Sequence, residues 1–205
     1  MKSPTLKTLL GASCAAVPLM LASAAQARIT EIRIEAVEPF ADNHAFGKTG
    51  GYVRIKGVAK GELDPKAPEN ATIVDLDKAP RNARGMVEYD TDIFIMRPAD
   101  PAKGNGILYY EVLNRGSKQL GRRLHDTRGG GESGGNDPKT LADAGNGFLF
   151  ERGFTVVWSG GEELGRREGI MSARFPAVME DGKPMVRRVR EEIQVGKRGP
   201  ADVEV

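Results

Sequence analysis

One cysteine, Cys14, in a chain of 205 residues excludes an internal disulfide framework and a cysteine-rich zinc site. Two histidines, His44 and His125, leave few places for histidine-dependent chemistry and make a poor metal cluster. Charge of one sign is also lacking: 30 basic residues stand against 28 acidic ones. Without a clustered positive face, the chain is not expected to bind nucleic acid. Nor is there an undiluted apolar run of membrane-spanning length. Leu9 to Ala25 is uncharged, but Gly11, Ser13, Pro18 and Ser23 interrupt it.

That stretch follows Lys2 and Lys7 and ends in Ala25-Gln26-Ala27, with small residues where a signal peptidase reads. These are the three parts of a secretory signal, so residues 1–27 are expected to be removed before Arg28. A lipid anchor on Cys14 is not supported, because Gly11-Ala12-Ser13 lacks a large aliphatic residue. Cleavage takes two lysines away and leaves 28 charges of each sign and no cysteine. The expected location is periplasmic or secreted, with no membrane association after cleavage.

Residues 28–100 read as a β-rich region of about four antiparallel strands. Ile32 and Ile34 alternate with Arg33 and Glu35, and Val53 and Ile55 with Arg54 and Lys56. Val87, Tyr89 and Thr91 lead into Ile93-Phe94-Ile95-Met96, apolar on both faces. Period-two patterns with β-branched residues predict half-buried strands, and the last run a fully buried one. Gly50-Gly51, Asp64-Pro65, Ala79-Pro80 and Asn82 to Gly85 supply the turns.

The pattern changes in residues 101–205. Ile107 to Leu113 reads as a buried parallel strand, followed by a long polar loop to about Asn136. Asp137-Pro138 is the expected helix start, with Leu141, Ala144 and Phe148 on one face and Gly145 and Gly147 as a possible break. Gly153 fits the helix end, and Thr155 to Trp158 the next buried strand. Strand, helix, strand is a βαβ unit and implies parallel pairing. Ile170 to Val178 reads as an extended segment broken at Pro176; Met185 to Val195 fits a strand by its β-branched content, with a helix as the alternative from the spacing of Val186, Val189 and Ile193.

Several motifs could carry chemistry. Gly131-Glu132-Ser133-Gly134-Gly135 matches the G-x-S-x-G nucleophile elbow, making Ser133 a candidate nucleophile and His125 a candidate base. An elbow needs a core strand before it, and Thr127-Arg128-Gly129-Gly130 cannot make one. A surface loop, with His125 and His44 each in a solvated or capping role, is the plainer reading. Pro138 spoils a Walker-like match at 134–140, and Phe150 a dinucleotide-like one at 145–150, so no cofactor is expected. The mixed-sign cluster Arg187 to Glu192 reads as a solvated face. Glu111-Val112-Leu113-Asn114-Arg115-Gly116 is the more informative place. A parallel strand ends there in a glycine turn, the position where open sheets bind ligands, and Asn114, Arg115 and Gly116 are the candidates for an oxyanion loop.

Four runs together resemble the N-terminal part of the bacterial alpha/beta hydrolase domain-containing proteins. They are Gly57 to Pro65, Ala79 to Tyr89, Glu111 to Gly116, and Asp143 to Gly160. The resemblance covers most of residues 30–160 and implies an α/β fold. It would have an N-terminal antiparallel β-rich region followed by the first strands and helix of an incomplete alpha/beta-hydrolase-type sheet. It further implies a small ester-like substrate for the full-length family. Where the family continues with a Trp-Gln-Gly-type turn, this chain has Gly161-Glu162-Glu163. In such hydrolases the elbow, acid and histidine follow a later strand. The expectation is therefore a truncated hydrolase, inactive alone for want of a catalytic triad. The alternative is a self-sufficient, non-enzymatic periplasmic binding or interaction module; a minimal esterase using Ser133 and His125 is a third reading.

Overall fold

The computed structural model describes residues 27–127, 136–165 and 169–188. Three long strands come first: β1 (Ala27–Pro39), β2 (Tyr52–Leu63) and β3 (Val87–Pro98). They pair antiparallel in chain order. After them come β4 (Leu108–Tyr110), α1 (Leu120–Leu124), α2 (Leu141–Ala144), α3 (Phe148–Glu151) and β5 (Thr155–Ser159). The parallel pairing of β4 with β5 makes this stretch a βαβ unit, as the pattern predicts. β5 pairs antiparallel with β3, so the sheet order is β1-β2-β3-β5-β4 and one sheet runs through both halves of the chain. β6 (Ala173–Arg174) adds to β3 beyond the end of β5. A small separate hairpin joins β7 (Met179–Glu180) and β8 (Lys183–Pro184).

The core lies between the sheet and the βαβ helices. Phe94 and Met96 of β3, Val156 and Trp158 of β5, Tyr52 of β2 and Leu149 and Phe150 of α3 are all buried. Phe40, Phe46, Tyr52 and Phe150 meet with ring centroids 4.9 to 5.9 Å apart. Aromatic residues are scarce in this chain, and the core concentrates them where large buried area stabilises most. A buried guanidinium ties sheet to crossover. Arg54 of β2 donates to Glu38, to Asp137 and to the Pro138 carbonyl, at 2.5, 2.9 and 3.0 Å.

Several expectations are corrected. The β-rich region has three long strands rather than about four; residues 64–86 between β2 and β3 form turns and single 3-10 turns. Ile32 and Ile34 are exposed instead of half-buried, because β1 is an edge strand that nothing among the described residues covers. The buried strand expected at Ile107 to Leu113 is three residues long, and Leu108 and Tyr110 are exposed because β4 lies at the other edge. The crossover helix begins later than Asp137. Asp137 is drawn away by Arg54, Lys56 and Lys139, and Thr140 with Asp143 forms a capping box instead. The helix does break at Gly145 and Gly147, both at positive φ. A fill of Gly145 is also blocked, since a Cβ there would lie 1.9 Å from the His125 carbonyl oxygen. α1 lies inside what reads as a polar loop. Of the strand expected at Met185 to Val195, residues 185–188 are not in a strand and the rest lie outside the described residues.

Candidate functional site at the β4–α1 junction

The chain leaves β4 and turns sharply at Asn114–Ser117. Asn114 N–H donates to the Ser117 carbonyl and Ser117 N–H to the Asn114 carbonyl, both at 3.1 Å. The two residues between have positive φ, 49° at Arg115 and 73° at Gly116. That is the primed two-residue turn, whose second position favours glycine. The turn also packs tightly. Gly116 is buried, its carbonyl accepts from Met171 N–H at 3.0 Å, and a Cβ on it would lie 2.5 Å from the Met171 oxygen.

Of the three oxyanion candidates, Asn114 therefore has its N–H committed within the turn. The N–H groups of Arg115 and Gly116 have no partner among the described residues. An unbonded amide in a fixed turn can stabilise a developing negative charge that reaches it; Arg115 is exposed, whereas Gly116 is buried.

Glu111, at the end of β4, holds this turn in place, and the sequence reading did not single it out for that role. It is buried, and its Oε2 accepts from three donors: Gln119 N–H and Leu120 N–H at 3.1 Å, and Trp158 Nε1–H at 2.6 Å. The first two are orphan amides at the start of α1, so Glu111 caps that helix from eight residues upstream. The third fixes the indole of β5. One carboxyl group thus joins both parallel strands and the first helix, with the turn enclosed between them.

Lys118 follows the turn and is buried as well. Its backbone N–H donates to Asn136 Oδ1 at 3.0 Å, and its ammonium donates to the Asn136 carbonyl. The ammonium lies 4.3 Å from the Phe94 ring centroid and 5.6 Å from that of Trp158. Burial pushes its pKa down to about 8, helped by Lys56 and opposed by Asp137, Glu111 and Asp92.

The other candidates are placed differently. His125 is fully buried with its ring edge-on to Phe150 at 4.6 Å. Its Nε2 accepts from Leu149 N–H at 3.2 Å. A ring so committed caps α3 and has no lone pair for a nucleophile. Burial pushes its pKa down to about 4. The unfolded chain takes up this proton below about pH 6.5, whereas the folded one does not until about pH 4. Stability is thus fully present above pH 6.5 and is lost as pH falls through that window, by about 3 kcal/mol. Urea unfolding at the two ends of that window should show wild type losing that much more than His125→Gln.

His44 is exposed and edge-on to Phe46 at 5.0 Å. Ser133 and its G-x-S-x-G run lie outside the described residues. In the Gly161-Glu162-Glu163 loop the Glu162 carbonyl accepts from Ala173 N–H at 2.8 Å and Ser172 Oγ at 3.2 Å, which ties the loop after β5 to β6. Among the described residues there is no cluster of His, Cys, Asp and Glu fit for a metal ion. None of their helices is long and apolar enough to cross a membrane.

Compared with known protein-family models, curated proteins and solved structures, the chain matches none.

Proposed function

We propose that this chain is the N-terminal part of a secreted or periplasmic alpha/beta hydrolase that acts on a small ester or related acyl compound. The observation that carries this reading is the turn at Arg115-Gly116. It stands between a parallel strand and the first helix of its crossover, with two amides that have no partner among the described residues. A loop between a parallel strand and the following helix is where such hydrolases draw one oxyanion donor. A donor of this kind contributes roughly 10²- to 10³-fold to acyl transfer.

The part played by these residues is to receive charge, not to attack. When a nucleophile adds to the acyl carbon, the carbonyl oxygen becomes negative, and the amides of Arg115 and Gly116 would hold it. Glu111 keeps them in register by fixing α1 and Trp158 on either side. The nucleophile and its base are then supplied from outside the described residues, since His125 is committed to α3. The side of β4 away from β5, unpaired among the described residues, leaves room in the sheet for the strand that would bring them.

The coding sequence downstream of codon 205 tests this. It is expected to read as a buried strand, a G-x-S-x-G turn, a helix, then an acid and a histidine in that order. A downstream sequence without that series would contradict the proposal.

A further inference from the structure

Lys118 is a buried ammonium held by two ring faces and a carbonyl rather than by a carboxylate. It is 7% exposed, and its one hydrogen-bond acceptor among the described residues is a backbone carbonyl. The acids nearest it are engaged elsewhere: Asp137 by Arg54, Lys56 and Lys139, Asp92 by Arg174 and Ser172 N–H, and Glu111 by three N–H groups. A buried lysine without a carboxylate partner is costly to keep charged and is the usual route to a nucleophilic amine.

Lys118 also lines a cavity of about 390 Å³ between the β2–β3 face and residues 169–171. Ile93, Phe94, Ile170 and Met171 supply apolar wall, and Lys56 a second amine. Glu35, Asp92 and Asp137 also line it and disfavour an anion. A small neutral molecule with an apolar body and a polar group fits this mixed lining.

We propose that this cavity binds a small aldehyde or ketone, and that Lys118 Nζ condenses with it to an imine. The neutral amine adds to the carbonyl carbon, forming the C–N bond, and a proton passes from nitrogen to oxygen to give the carbinolamine. The C–O bond then breaks, and the oxygen leaves as water with the second amine proton. Nothing is oxidised or reduced. The depressed basicity of Lys118 supports this, since near neutral pH the amine is unprotonated far more often than on an ordinary lysine. Around it, Asp137, Glu111 and Asp92 favour the ammonium, while burial and Lys56 oppose it. The inference is independent of the hydrolase reading, because it uses neither the turn amides nor a triad.

The test is trapping on the full chain with benzaldehyde and cyanoborohydride, which delivers hydride to the imine carbon. Peptide-resolved mass spectrometry compares Lys118 with the exposed Lys48 and Lys66. At about pH 7.5 Lys118 is expected to label at least about tenfold faster, with a rate that levels off above about pH 8 while the surface lysines keep rising. Benzyl alcohol, an unreactive analogue of similar shape, should slow Lys118 and leave Lys48 unchanged. Labelling no faster than at the surface, or no levelling of the rate, overturns the reactive amine. Fast labelling that benzyl alcohol does not slow overturns the cavity as the binding site.

Discussion

Glu111→Leu is expected to lower the free energy of unfolding by about 4 kcal/mol. The substitution leaves three buried donors, Gln119 N–H, Leu120 N–H and Trp158 Nε1–H, without their acceptor. Each unsatisfied buried group costs about 1–3 kcal/mol, and partial relaxation keeps the total below the sum of the upper values. Leucine restores apolar contact but no acceptor. Glu111→Gln is the discriminating comparison, because an amide oxygen can still accept from some of the three, and it should lose about half as much. Urea unfolding of the three proteins measures this. Tryptophan fluorescence gives a second reading, since the indole that Glu111 fixes belongs to the single tryptophan of the chain. A loss below about 1 kcal/mol in Glu111→Leu would mean that the carboxyl group does not organise the junction.

Gly116→Ala should cost about 3 kcal/mol, for two reasons that add. The residue sits at φ 73°, where a Cβ is strained, and that Cβ would lie 2.5 Å from the Met171 oxygen and 2.6 Å from Ile170 Cγ2. Of these two neighbours the backbone oxygen cannot move aside cheaply, so the turn and the 169–171 segment must separate. Hydrogen exchange at Met171, whose amide donates to Gly116, should quicken accordingly. Arg115→Gly is the internal control. Arg115 is exposed at φ 49°, so removing its side chain relieves strain and should change stability by no more than about 1 kcal/mol. Equal losses in the two variants would show that the turn is not closely packed.

Much of the sheet was legible, because β2, β3 and β5 carry apolar residues in runs long enough to show their period. The break between α2 and α3 was visible in Gly145 and Gly147. Exposure was misjudged at β1 and β4 for one shared reason. A strand's own pattern says which side chains alternate, but not whether anything covers them, and both strands lie at edges. α1 was hidden because five residues, Leu-Gly-Arg-Arg-Leu, make one turn and too short a window for helical period to show.

At the candidate site the turn itself was readable from Asn114-Arg115-Gly116. The residues that support it were less so. Glu111 left a trace, being a lone acid inside the apolar run Tyr109 to Leu113, and such an acid is buried only with partners. Its partners lie eight, nine and forty-seven residues away, a relation that exists only once β4 and β5 pair. Lys118 left none, since a lysine in a polar loop reads as solvated until Phe94 and Trp158 are placed beside it.

If the chain supplies an oxyanion turn and not a nucleophile, Ser133 is unreactive, and the intact mass of the purified chain before and after a fluorophosphonate probe, with Ser133→Ala as control, tests this. The His125 Nε2 lone pair is taken by Leu149 N–H, so this histidine is not free to serve Ser133 as its base. No adduct is the expected result. An adduct that disappears in Ser133→Ala would contradict it and make the chain an esterase in its own right.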